Sequence, residues 1–191
     1  MRIAFTDGEM TNLSADFGQL LCAGIAEYNP VTAREIAKGA RPWKNVRVLE
    51  LPDYANRRWV DGPLAIAWRD ALEEYDIIVT WNGVRFDLPF LNTRLVRYGA
   101  KEYVPRRHKD LMYTARFRLK MTNAQQDTIS KFYRVPERYG VQKTPMYPEQ
   151  WCKAMGGHRP SYQYIITHCA NDIKVLAALW QEMKDIAGEI K

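Results

Sequence analysis

The sequence predicts an α/β domain built on a mixed five-stranded sheet flanked by helices. Three observations carry that expectation: short apolar strand-like segments gathered early, a buried strand over residues 76 to 80 set between helical patterns, and a long amphipathic helix near the C-terminal end. Residues 2 to 7 form the first strand, and the run Ile-Ala-Phe-Thr-Asp-Gly-Glu over 3 to 9 ends it with Asp7 and Glu9. Their i, i+2 spacing puts both carboxylates on one face. Residues 20 to 28 and 46 to 51 supply the next two strands, with turns at Asn29-Pro30 and over 39 to 42. Asp61-Gly62-Pro63 opens a helix with Asp61 as its N-cap, and Leu64, Ile66, Ala67, Ala71 and Leu72 make its apolar stripe.

After the strand at 76 to 80, a helix runs over 87 to 98 and is closed by Gly99. Residues 108 to 113 read as a fifth strand, 123 to 133 as a helix, and 135 to 148 as a loop rich in Pro, Gly and Lys. The last helix, capped by Ser161, extends to about residue 186. Its stripe is Ile165, Cys169, Ile173, Leu176, Trp180 and Met183. His168 and Asp172 lie one turn apart on the margin of that stripe, where side chains can face a groove. No repeat or linker interrupts the chain, so residues 1 to 191 are expected to form one domain.

Composition excludes several classes. No segment approaches the roughly 18 apolar residues of a membrane helix, and Met1-Arg2-Ile3 runs directly into a strand rather than a signal peptide. Cys22, Cys152 and Cys169 are an odd set without Cys-x-x-Cys spacing, which fits reduced thiols and argues against a structural zinc. The expected location is therefore cytoplasmic or nucleoid-associated, not secreted. A net charge of +6 favours a polyanionic partner. Arg94, Arg97, Lys101, Arg106, Arg107, Lys109, Arg116, Arg118 and Lys120 are interleaved with Tyr98, Tyr103, Tyr113 and Phe117, a mixture suited to phosphate neutralisation and base stacking. For any single member, a solvated basic face or a core aromatic is the plainer reading.

The segment Trp81-Asn82-Gly83-Val84-Arg85-Phe86-Asp87-Leu88-Pro89-Phe90-Leu91 follows a strand directly, so Asp87 sits where strand gives way to helix. An aspartate there is by default a helix-capping or first-turn residue. Its company changes the reading. Asp7, Glu9, Asp87 and Asp172 come from two strand ends and two helices, and the fold can gather them around one cleft. Packed together, such carboxylates repel, and a divalent cation compensates. Hard oxygen ligands in this number suit magnesium or manganese. Two such ions can clamp the attacking and leaving oxygens of a phosphodiester.

On these residues the chain resembles the DEDD superfamily of 3′-to-5′ exonucleases, which share a ribonuclease H-like fold. Asp7-x-Glu9 is similar to its first motif, Asn82-x-x-x-Phe86-Asp87 to its second, and Asp172 to its third. The second match is especially similar to proofreading domains of family B DNA polymerases and to their stand-alone relatives, and the chain has no room for a polymerase and reads as stand-alone. The third motif departs from the family. There a Tyr stands four residues before the Asp or a His five before it, whereas His168 stands four before Asp172. Imidazole, with an ordinary pKa near 6.5, can take a proton from an attacking water at neutral pH. Tyr164, one turn further back, is the competing base.

The resemblance implies two divalent cations, Mg2+ or Mn2+. Asp7 would bridge them, Glu9 and Asp172 would complete the water-holding site, and Asp87 would hold the second ion mostly through waters. It also implies hydrolysis of single-stranded 3′ ends, DNA favoured, releasing nucleoside 5′-monophosphates, with a separate polymerase or a replication or repair protein as a partner. Asn82, Phe86 and Lys143 are the candidate substrate contacts; for Lys143 a solvated loop lysine is the plainer expectation. Asp110 and Asp127 are expected to cap or pair rather than to bind metal. The alternatives are a catalytically silent nucleic-acid-binding module of the same fold, a structure-selective endonuclease, and a purely structural subunit.

Overall fold

A computed structural model describes residues 1 to 54 and 60 to 188. Five strands form one sheet in the order β3-β2-β1-β4-β5: β1 (Ile3–Met10), β2 (Leu20–Tyr28), β3 (Trp43–Glu50), β4 (Ile77–Thr80) and β5 (His108–Asp110). The first three pair antiparallel, and β1, β4 and β5 run parallel. The reason is connection length: β1 and β2 are joined by a short loop, whereas β4 and β5 are reached through helices. The mixed five-stranded sheet expected from the sequence is therefore observed.

Side-chain alternation along β1 divides the core. Ile3 and Phe5 face one layer, with Ile77 and Val79 of β4 beside them. Ala4 and Met10 face the other, against helices α3 (Gly62–Glu73) and α4 (Asp87–Arg97), reached after the short helices α1 (Ala33–Ala37) and α2 (Leu51–Tyr54). The first layer is covered by α5 (Leu111–Arg118), α6 (Gln126–Phe132), α7 (Val135–Tyr139) and the C-terminal half of α9 (Arg159–Met183). Helix α8 (Pro148–Met155) packs its Trp151 with Ile165 and Cys169 of α9 over Leu21 and Cys22. Each fully buried Leu, Ile or Phe contributes roughly 1.5–3 kcal/mol.

Several expectations need correction. Residues 108 to 113 are not all strand: β5 stops at Asp110, whose carboxylate caps α5 by accepting from the Met112 amide, 3.1 Å. The segment 135 to 148 is not all loop, since Val135–Tyr139 is a helical turn closed by Gly140 in the left-handed conformation. Helix α9 is capped by His158, whose Nδ1 accepts from the Ser161 amide, so Ser161 lies inside the helix. Asp61 stands at the N-cap position of α3, but its side chain does not cap. Instead it is fully buried and accepts from Arg94 Nε (2.9 Å) and Nη2 (2.6 Å), the Tyr98 hydroxyl (2.9 Å) and the Leu20 amide (2.8 Å). That pair ties α3, α4 and the start of β2 into one unit and removes Arg94 from the basic surface.

The β1 alternation that sends Ile3 and Phe5 toward α9 also sends Asp7 and Glu9 there. Helix α9 can approach closely because β2 carries Gly24 opposite Asp7. A Cβ at that position would lie 2.7 Å from Cys169 Sγ. Among the described residues no helix is long and apolar enough to cross a membrane.

Candidate active site

Strand β1 brings two acids, α9 brings a third acid and the histidine, and the β4–α4 turn brings the fourth acid. His168 Nε2 lies 3.4 Å from Asp172 Oδ2 and 3.6 Å from Glu9 Oε1. Ligand atoms of Glu9, His168 and Asp172 fall within 4.8 Å of one another, as do those of Asp7, Glu9 and Cys169. Asp87 joins through the strand itself, its Oδ1 accepting at 3.0 Å from the amide of Gly8, the residue between Asp7 and Glu9. Asp7, Glu9, Asp87, His168 and Asp172 all line one cleft of about 450 Å³, with Phe86, Trp81 and Trp151 on its walls.

The turn that presents Asp87 is sharply made. Asn82 adopts a left-handed backbone (φ 66°), a conformation Asn tolerates better than most residues. Gly83 follows because a Cβ there would lie 2.5 Å from the Thr80 side chain. Asp110 holds the turn from β5, accepting from the amides of Asn82 (2.8 Å) and Val84 (3.0 Å). Asn82 is thus a turn residue and is not among those lining the cleft, whereas Phe86 is.

The electrostatics are those of an anionic site short of positive charge. Burial pushes the Asp7 carboxyl well above its ordinary range, and the Asp87 and Asp172 carboxylates push it further. Glu9 is raised in the same way, by burial first and then by Asp7. Burial raises Asp87 to about 7, against the Gly8 amide that favours its ionised form. His168 is lowered by burial, opposed by Asp172, so the ring is neutral at neutral pH. Trp151 of α8 fixes the ring edge-on, with centroids 5.2 Å apart at 88°.

Lys143 is not the solvated loop lysine expected. It is half-buried, its ammonium donates to Asp172 Oδ2 and to Gln126 Oε1 (2.8 Å), and its charge lowers Asp7 and Glu9. Gln126 in turn donates to the Asp172 backbone carbonyl, 3.2 Å. Tyr164 is elsewhere: its hydroxyl donates to the Pro145 carbonyl, its ring packs on Tyr147, and it does not line the cleft. Sequence reasoning missed Trp151 and Gln126. For Trp151 a signal existed, since Pro148 and Glu149 have the composition of a helix start.

The donor set fits a hard divalent cation. Four carboxylates share one cleft, and Asp172 Oδ1 is buried without a hydrogen-bond partner among the described residues. Buried polar atoms are satisfied in the great majority of cases, so the Asp172 oxygen calls for an ion, a water or a substrate group.

The model of the RNase H superfamily matches residues 4 to 184. The chain belongs to the RNase H superfamily. In structure, this RNase H-like domain is similar to the family B DNA polymerase from the hyperthermophilic archaeon Pyrobaculum calidifontis, with a TM-score of 0.68 at 16% identity. The match covers 96% of this chain and 24% of the polymerase, so the chain spans about a quarter of that protein. No curated protein matches the sequence. RNase H-like nucleases generally use divalent metals, and this chain carries a buried acidic cluster.

Proposed function

We propose that the chain is a metal-dependent 3′-to-5′ exonuclease that hydrolyses the terminal phosphodiester of single-stranded nucleic acid, DNA first, and releases nucleoside 5′-monophosphates. The observation that carries this reading is the convergence of Asp7, Glu9, Asp87, Asp172 and a neutral His168 on one cleft of an RNase H-like fold. Two divalent cations, magnesium or manganese, would be held by Asp7, Glu9 and Asp172 and by Asp87. When bound, they supply positive charge for the attacking and leaving oxygens.

The chain's own residues do the rest. His168 Nε2, beside Glu9 and Asp172, accepts the proton of the attacking water. Burial keeps this base unprotonated at neutral pH. Lys143 places an ammonium at the edge of the acid cluster, where it can meet a phosphate oxygen of the substrate. Phe86, Trp81 and Trp151 give the cleft apolar walls against which a terminal base can pack. Tyr164, held by Pro145 outside the cleft, is displaced as base by His168.

The test is incubation of 5′-labelled single-stranded DNA and RNA oligomers with magnesium or manganese. A ladder shrinking one nucleotide at a time, absent with Asp172→Ala and severely slowed with His168→Ala, is the expected result. Cleavage of an oligomer whose 3′ end is covalently blocked would instead identify an endonuclease. Binding without cleavage would identify a silent module.

A further inference from the structure

The basic and aromatic stretch noted in the sequence is only partly explained by the acid cleft. Arg94 is consumed by Asp61, Tyr103 is buried, and Tyr98 donates its hydroxyl to Asp61. Arg97, Lys101, Arg106 and Arg107 are exposed outside α5, and helix α5 is where exposed basic and aromatic side chains of this stretch stand together. Tyr113 and Phe117, one turn apart, stack nearly parallel with centroids 6.1 Å apart and an angle of 18°. Phe117 is 75% exposed, so one face of its ring is open to solvent. Arg116 and Arg118 flank it in sequence and Lys120 follows, all exposed. None of the three makes a hydrogen bond or ion pair among the described residues. Between α5 and residues Ile186 and Ala187 lies an open cleft of about 380 Å³, floored by Tyr113, Phe117 and Arg118.

We infer that this face of α5 is a second nucleic-acid contact, a stacking platform for bases of the single strand upstream of the bond being cut. The inference rests on the exonuclease reading. Its occupant follows from chemistry: the exposed Phe117 ring, set near-parallel on the half-buried Tyr113, offers a π-face that any base can cover, and three exposed cations without a partner among the described residues match a phosphate backbone rather than a protein of ordinary charge. Continuity with the acid cleft comes from Asp110. Its carboxylate both caps α5 and holds the Asn82–Val84 turn that presents Asp87, so the platform begins where the active-site turn is anchored. An eight-residue helix is about 12 Å long. A single strand leaving the cleft past that turn would meet Phe117 in the last turn of α5, about one helix length on.

The platform must act on substrate length and not on chemistry. The experiment compares wild type with Phe117→Ala and with Arg116→Ala/Arg118→Ala on a dinucleotide and on a 5′-labelled DNA of about 12 nucleotides, a length within the span of single-strand grooves. Both hydrolysis and fluorescence anisotropy are read, the latter with calcium in place of the active cation. All changed side chains are exposed, and melting temperatures serve as the folding control. The expected result is a roughly tenfold weaker KM and Kd on the long strand for each variant, with kcat and all dinucleotide parameters unchanged. Variants that match wild type on the long strand while wild type degrades it would overturn the platform and leave the exonuclease reading standing. If wild type degrades neither substrate, the exonuclease reading falls. The anisotropy arm then decides the platform alone, supporting it if the long strand binds and Phe117→Ala weakens it, and overturning it otherwise.

Discussion

Replacing Asp87 by Asn should make the cation-free protein more stable while abolishing turnover. Asp87 is 3% exposed, and its carboxyl is raised from 3.8 to about 7, first by burial. The folded chain therefore keeps a proton that the unfolded chain releases above about pH 4. Stability is lost as pH rises from there to about 7 and is flat beyond. At about 1.36 kcal/mol per pH unit, the rise bounds the penalty at about 4 kcal/mol. Asp7 and Glu9 share the same field and adjust when one neighbour is neutralised, so a net gain of about 2 kcal/mol is the expectation. For a chain of this size that is about 4–8 °C in Tm. Asn keeps an oxygen for the Gly8 amide, so the geometry of β1 is retained. The assay is thermal unfolding by circular dichroism with a chelator present, at pH 5 and pH 8.5, the gain being larger at the higher pH. Added manganese should then raise the Tm of wild type by more than that of Asp87→Asn, since binding to the folded state adds stability. An Asp87→Asn protein no more stable than wild type at pH 8.5 without divalent cation would refute the burial penalty that the ionised Asp87 carries in the cation-free cleft.

His168→Ala should lower kcat by about 10²–10⁴-fold, the range for a lost general base, with manganese affinity little changed. Tyr164→Phe should leave both kcat and KM near wild type, because its hydroxyl serves the Pro145 carbonyl; a hundredfold loss would reverse the assignment of the base. Lys143→Ala should tighten manganese binding several-fold in calorimetric titration while slowing turnover, because Asp172 loses its ammonium partner and the site becomes more anionic. Unchanged affinity would show that Lys143 and the cation do not compete. Asp61→Ala should cost about 3–5 kcal/mol in denaturant unfolding, because it leaves the Arg94 guanidinium buried without a counter-charge.

Periodicity exposed much of the fold and chemical type exposed much of the site, for separable reasons. Alternation along β1 and the apolar stripe of α9 follow directly from burial on one face, so the residues destined to meet, Asp7 and Glu9 on one element and His168 and Asp172 on the other, could be read without coordinates. Helices α5, α7 and α8 were not legible because five to eight residues carry too little of a 3.6-residue period to compete with the turn-forming residues around them. Lys143 and Asp61 were misread for a different reason. Whether a charged side chain is solvated or buried depends on a partner far along the chain, 29 residues away for Lys143 and 33 for Asp61, and local composition does not encode that. The same holds for Asn82, whose place in the turn is fixed by Asp110 across the sheet.

The proposed chemistry requires the acids of β1, α4 and α9 to form one divalent-cation site. Anomalous diffraction from crystals soaked in manganese tests it most directly. Manganese peaks are expected within ligand distance of Asp7, Glu9, Asp87 and Asp172, and are expected to be lost in crystals of Asp7→Asn. Peaks confined to other surfaces, or an acid cleft that stays free of manganese at millimolar concentration, would contradict it.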